Sequence, residues 1–150
     1  MKILFINGPN LNMLGIREPG IYGNSTYEDL LGIIRGHCNN AGAECDFYQS
    51  NHEGDLVDRI QQAYSDGTDA IVINPGAYTH TSIALLDALK AVALPAAEVH
   101  ISDVDSREEF RKISYIRSAC LFTVSGEGFP GYCKAADMLI EYVKGKKNDG

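Results

Sequence analysis

The chain has 150 residues, 45% of them hydrophobic and 22% charged, with a formal net charge of -7 at pH 7. That length suits one domain with a full core, here 1–150, and the balance is that of a globular chain rather than a disordered or fibrous one. The negative sign argues against non-specific binding to nucleic acid or an anionic membrane, which needs a basic surface, but leaves room for a small anionic ligand held by a few local arginines.

The chain opens on Ile3-Leu4-Phe5-Ile6, a continuous apolar run of the kind found in strands buried on both faces of a parallel sheet. It is too short for a signal peptide, and no later run approaches the roughly 20 apolar residues of a membrane span, so a cytoplasmic protein is expected. The segment that follows, Gly8-Pro9-Asn10-Leu11-Asn12-Met13-Leu14-Gly15-Ile16-Arg17-Glu18-Pro19-Gly20-Ile21-Tyr22-Gly23, is the most informative stretch. Strand-to-helix connections usually take about 2–6 residues, and loops far beyond that are lids, binding loops or disorder. Leu11, Met13, Leu14, Ile16 and Ile21 call for burial, which disfavours disorder. The same segment carries a guanidinium, Arg17, and a phenol, Tyr22.

Leu30, Leu31, Ile34 and Cys38 then recur at helical spacing, opened by Ser25-x-x-Glu28 as a capping box and closed at Gly42. Ala43, Cys45 and Phe47 alternate with Glu44, Asp46 and Tyr48, which predicts a strand near a sheet edge. Its following loop, Gln49-Ser50-Asn51-His52-Glu53-Gly54, reads either as a ligand holder or as a helix cap. Leu56, Ile60 and Ala63 mark a second helix, stopped by Gly67. Ala70-Ile71-Val72-Ile73 is another doubly buried strand. Asn74-Pro75-Gly76-Ala77-Tyr78-Thr79-His80-Thr81-Ser82 turns into a third helix, capped by Thr79 or Thr81, with Ile83, Leu86, Ala88 and Leu89 on its apolar face. Ala96-Ala97-Glu98-Val99 is the fourth strand. A short helix is predicted from the capping box Ser106-x-x-Glu109. Cys120-Leu121-Phe122-Thr123-Val124 is the fifth strand, and Tyr132, Ala136, Leu139, Ile140 and Val143 stripe a last helix before a polar, frayed tail at 144–150.

Alternating strands and helices predict an α/β fold: a three-layer open sheet of about five parallel strands with right-handed crossovers, flavodoxin-like in strand order. Such sheets bind ligands beyond the carboxyl ends of their strands, at a switch point. The polar residues gather there. Strand geometry puts Glu98 and His100 on one side, where a carboxylate fixes an imidazole's tautomer and favours its charged form. The backbone N–H groups of Ile101 and Ser102 leave the strand where an anion can be met. Arg107 and Arg111, four apart, share a face of the short helix, as ligand cations or as partners of Glu108 and Glu109. Cys38, Cys45, Cys120 and Cys133 form no C-x-x-C pair, so they read as reduced structural thiols rather than a zinc or redox site. No nucleophile elbow, phosphate-loop lysine or G-x-G-x-x-G follows a strand.

Several of these runs resemble one known family. Ile6-Asn7-Gly8-Pro9-Asn10-Leu11-Asn12, Arg17-Glu18-Pro19 with Tyr22-Gly23, the run from Asn74 to Ser82, Glu98-Val99-His100-Ile101-Ser102, Arg107-Glu108-Glu109-Phe110-Arg111 and the later Gly126, Gly128 and Gly131-Tyr132 look like type II 3-dehydroquinate dehydratase, over nearly the whole chain. The resemblance implies a flavodoxin-like fold, a homododecamer of trimers, no metal and no organic cofactor. It implies reversible loss of water from 3-dehydroquinate to give 3-dehydroshikimate, in aromatic biosynthesis or in quinate breakdown. It makes Tyr22 the base beside Arg17, gives Asn10 a water that stabilises the enolate, and makes His100 the acid, oriented by Glu98. Asn74, Ile101 and Ser102 would hold the substrate carboxylate, and His80 and Arg111 its ring hydroxyls. Asp87 would reach a neighbouring subunit's site, and Arg107 would support the lid. The family commonly has asparagine and histidine where this chain has Asp103 and Asp105. A flavin- or phosphate-binding module of similar fold is the alternative; it wants an anion-cradling loop or acidic strand ends that the first strand and loop lack. A catalytically dead scaffold is the other.

Overall fold

The computed structural model describes residues 1–16, 20 and 23–149. Five strands, β1 (Lys2–Asn7), β2 (Glu44–Gln49), β3 (Ala70–Asn74), β4 (Ala96–His100) and β5 (Phe122–Ser125), form one sheet in the order β2-β1-β3-β4-β5. Every neighbouring pair is parallel, as crossover helices require. This is the flavodoxin-like order, with its switch point between β1 and β3. The run Ile3 to Ile6 and all of β3 are buried, whereas β2, at the sheet edge, is exposed at Glu44 and half-buried over 45–49, without the alternation its sequence suggests.

Helices cover both faces. Ile3, Phe5, Val72, Val99 and Val124 pack against α1 (Tyr27–Asn40) and α4 (Pro130–Asp149). Leu4, Ile6, Ile71 and Ile73 pack against α2 (Glu53–Ala63) and α3 (Ile83–Val92). Each buried aliphatic side chain contributes about 1.5–3 kcal/mol relative to exposure. Two polar bonds cross the first of these layers. The Tyr132 hydroxyl, fully buried, donates to Asn7 Oδ1 at 2.6 Å and accepts from Asn74 Nδ2 at 2.9 Å. The first residues of α4 are thereby tied to the ends of β1 and β3.

Several local expectations shift. The box that opens α1 is Thr26 with Asp29, not Ser25 with Glu28: Asp29 N–H donates to Thr26 Oγ1 (3.1 Å) and Thr26 N–H to Asp29 Oδ2 (2.9 Å). Ser82, rather than Thr79 or Thr81, caps α3 by accepting from Leu85 N–H. The core side of α3 is Leu85, Ala88, Leu89 and Val92, while Ile83 is exposed. No α-helix follows Ser106. That hydroxyl donates back to Asp103 O, and the chain makes separate 3₁₀ turns at Val104–Ser106, Glu109–Arg111 and Ile116–Ala119. Arg107, between the first two turns, is extended. The polar end is helical too, since α4 runs to Asp149.

In the first loop, Leu11 and Leu14 are buried as expected, but Met13 and Ile16 are exposed. Ile21 lies outside the described residues. All four cysteines are free thiols, and burial pushes the Cys38 and Cys120 thiols up to about 12, which suits inert packing. Among the described residues no helix is long and apolar enough to cross a membrane.

Candidate active site

The loops after β1, β3 and β4 enclose a cavity of about 140 Å³ at the carboxyl edge of the sheet. Two glycines let the first two loops approach. A Cβ on Gly8 would lie 2.3 Å from Pro75 O, and one on Gly76, whose φ is +59°, would lie 2.9 Å from Pro9 O. Backbone contacts that close exclude any side chain, so glycine at 8 and at 76 is a geometric requirement of the site.

Asn10, Asn74, His80, His100, Ile101, Ser102, Arg107 and Arg111 all line this cavity. Glu98 stands behind His100. Asp87 is exposed on α3 and lies outside the cavity of its own chain. Arg17 and Tyr22 lie outside the described residues. Asp103 and Asp105 do not line the cavity. Asp103 Oδ1 instead accepts from Asp105 N–H and caps a 3₁₀ turn.

The first loop is anchored from the loop after β2. Asn10 is left-handed, with φ 69°, and its N–H donates to Asn51 Oδ1 at 3.0 Å. Gln49 Nε2 donates to Gly8 O, and the Tyr78 hydroxyl donates to Asn51 O. The run from Gln49 to Gly54 thus buttresses the neighbouring loop. Ser50 also receives His52 N–H and donates to Asp55.

Asn74 is already engaged inside the fold. Its Oδ1 accepts from Gly76 N–H at 3.1 Å and its Nδ2 donates to Tyr132, which orients its amide at the cavity wall. The end of β4 is held from the β5–α4 connection. Gly126 N–H donates to His100 O and Gly128 N–H to Ile101 O.

Glu98 is fully buried and His100 nearly so, and His100 Nε2 lies 2.5 Å from Glu98 Oε2. Ser114 Oγ donates to the same oxygen at 2.9 Å. Arg117 donates from Nε to Oε1 and from Nη2 to Oε2, both at 3.2 Å. Burial by itself would raise the Glu98 carboxyl, but the bonds from His100 and Arg117 outweigh it and hold the group below its ordinary value. A carboxylate on Nε2 makes that nitrogen the donor, so Nδ1 is the ring nitrogen that could exchange a proton with a ligand.

His80 is arranged differently. Its Nδ1 lies 2.6 Å from Ile113 O, an acceptor only, so Nδ1 carries the proton. Burial, then the positive neighbours His100 and Arg111, push its basicity down, so the neutral form with Nε2 as an acceptor is favoured. Arg111 Nε is taken by Glu108 at 2.8 Å, and Arg107 lies 3.9 Å from the same carboxylate. Arg107 reaches the cavity from the extended link between the first two turns and Arg111 from the second turn, rather than from one helical face. Ser114 and Arg117 are supporting residues that sequence patterns do not single out, whereas Asn7 and Tyr132 stand in the quoted motifs with no role given to them there.

A pH dependence of stability follows for Glu98. Its folded value is depressed, so the stability it contributes is present in full above about pH 4.5, the range of an ordinary carboxyl. That stability is lost as pH falls through the folded value. Urea midpoints between pH 7 and pH 3 are expected to fall more steeply for the wild type than for Glu98→Gln. Parallel curves would remove Glu98 as a source of acid sensitivity.

Comparison with known proteins is consistent with this arrangement. Residues 1–140 match the family model described as Dehydroquinase class II. A 3-dehydroquinate dehydratase from Lachnoclostridium phytofermentans is 54% identical over 140 residues, covering 93% of this chain and 97% of that protein. One from Carboxydothermus hydrogenoformans is 51% identical over 150 residues, covering 100% and 97%. Among solved structures, the type II dehydroquinase of Butyrivibrio crossotus aligns with a TM-score of 0.92 at 56% identity, covering 93% of this chain and 97% of that one. That of Propionibacterium acnes aligns with a TM-score of 0.88 at 40% identity, covering 92% and 94%.

Proposed function

The chain belongs to the class II dehydroquinase family and is a 3-dehydroquinate dehydratase, a hydro-lyase, and from that premise we propose the following mechanism. Tyr22, as a phenolate beside Arg17, takes a proton from the carbon next to the substrate ketone. The electron pair moves into an enolate, whose oxygen is stabilised by a water held by Asn10. His100 gives a proton to the departing hydroxyl, the C–O bond breaks, and water leaves as the conjugated enone forms. Glu98 holds the His100 ring. Asn74 and the N–H groups of Ile101 and Ser102 take the substrate carboxylate, and His80 and Arg111 the ring hydroxyls, while Arg107 supports the closing loop.

The observation that carries this reading is the buried Glu98–His100 pair opening on a cavity rimmed by two guanidiniums. A leaving hydroxide is poor until protonated, and a positioned acid or base typically gives about 10²–10⁴-fold. Cations at the rim suit an anionic substrate and an enolate-like transition state.

The working form is a homododecamer of trimers. Exposed apolar side chains such as Ile83, Phe110, Ile113 and Leu121 support burial of this surface between copies. Asp87, exposed on α3, then reaches a neighbour's cavity.

Adding 3-dehydroquinate and following the ultraviolet absorbance of the enone tests the activity. Borohydride added with substrate is expected to leave the enzyme active, because no imine forms. None of Lys2, Lys90, Lys112, Lys134, Lys144, Lys146 and Lys147 lines the cavity. Inactivation with a covalent adduct would contradict the enolate route.

A further inference from the structure

Glu98 is an ionised group with no exposure to water, so everything water would have done for it must come from its neighbours. Among the described residues its four polar contacts come from three side chains: His100 and Ser114 on Oε2, and Arg117 on both oxygens. Among the described residues only the Arg117 guanidinium touches both oxygens. We propose that Arg117 is a positioning residue for the dehydration: its two-point contact sets the plane of the Glu98 carboxylate, and through it the direction in which His100 presents its proton to the departing hydroxyl. The inference rests on the reading of His100 as the acid.

The last torsion of a glutamate is broad and roughly two-fold, so packing alone does not select one carboxylate plane. A guanidinium fork does select one, because its Nε and Nη2 are rigidly spaced to match two carboxylate oxygens. Arg117 itself is well placed to act as a fixed clamp. It belongs to the 3₁₀ turn Ile116–Ala119 between β4 and β5, and its neighbour Ile116 is fully buried in the α2–α3 layer. The backbone is therefore pinned, while the side chain, 41% exposed, reaches inward from the surface. Ser114 approaches Glu98 from the same segment. A catalytic group has to be held within about 0.5 Å and 10–20° of its working geometry, and an imidazole bonded to a carboxylate that can rotate does not meet that limit.

Steady-state kinetics on the full chain test the idea. Arg117→Ala is expected to lower kcat about ten- to a hundredfold, part of what a correctly placed acid supplies, with KM within about twofold. Arg117→Lys, which restores charge without the fork, is expected to fall between. In a double-mutant cycle with Glu98→Gln, the effect of Arg117→Ala is expected to shrink below about threefold, because the group it acts through has been altered. Arg117→Gln takes the place of Arg117→Ala in the cycle if the alanine variant does not fold. A folded Arg117 variant with wild-type kcat, or one that loses the same factor on both backgrounds, overturns the inference. His100→Ala in the same assay separates the two levels. If it keeps full turnover, the acid assignment and this inference fall together. If it is inactive while folded Arg117→Ala keeps wild-type kcat, this inference alone falls.

Discussion

Replacing His100 by alanine is expected to lower kcat about 10²–10⁴-fold with a much smaller change in KM. Elimination from a β-hydroxy ketone has two difficult events, loss of a weakly acidic C–H proton and departure of hydroxide. Near neutral pH the second does not proceed usefully without a proton donor at the oxygen. Among the described residues the cavity offers two imidazoles, His80 and His100, and only His100 has a carboxylate on its far nitrogen. In the proposed mechanism substrate holding rests on other groups, Asn74, Arg111 and the β4 end, so removal of His100 should spare binding. The fold should survive as well. Glu98 keeps three bonds, two from Arg117 and one from Ser114, and is not left as an unpaired buried charge. Enone formation measured with folded His100→Ala protein checks this, and turnover within about threefold of wild type would remove His100 as the acid.

The architecture is legible in the sequence because burial on two faces leaves a strong mark. Ile3 to Ile6 and Ala70 to Ile73 have no polar interruption, and the runs between them change to helical spacing. The gathering of Asn10, Asn74, His80 and His100 is legible for the same reason, since each ends or follows a strand and parallel strands end on one edge. What is lost is lost for identifiable reasons. Ser25-x-x-Glu28 and Thr26-x-x-Asp29 are chemically equivalent boxes one residue apart, and only packing of the helix chooses between them. Asp103 competes with helix initiation after β4 by hydrogen-bonding Asp105 N–H through its side chain, while its carbonyl accepts from Ser106, and the result is a broken set of turns. Arg117 and Ser114 meet Glu98 across 19 and 16 residues with no periodicity to link them. Tyr132 falls on an apolar helix stripe, where its ring accounts for the pattern and its hydroxyl leaves no trace.

Tyr22→Phe is expected to lower kcat by about 10²–10⁴ while the protein stays folded, whereas His80→Ala is expected to act mainly on KM. The contrast matters because His80 has the outward form of a general base. Its Nδ1 donates to Ile113 O, and its neutral state, favoured by burial and by its positive neighbours, leaves Nε2 as an acceptor. Those influences also weaken it as a base. An ordinary imidazole has a conjugate acid near 6.5, and His80 lies below its ordinary value. A phenolate, with a conjugate acid near 10 when unperturbed, is far better matched to a carbon acid. Its drawback is scarcity, about one part in a thousand at pH 7 for an ordinary tyrosine. A guanidinium beside it corrects this by favouring the charged form, and closing out water strengthens that effect. Arg17 is the residue proposed for this task. In the proposed mechanism such a phenolate is both populated and more basic than His80, and proton abstraction is assigned to it. His80 is then left the proposed part of a neutral hydrogen-bonding partner for the ring hydroxyls, where losing it would remove binding shared by the ground state and the transition state. Equal losses of kcat in the two variants with unchanged KM, or near-wild-type turnover by Tyr22→Phe, would transfer the base role away from the tyrosine.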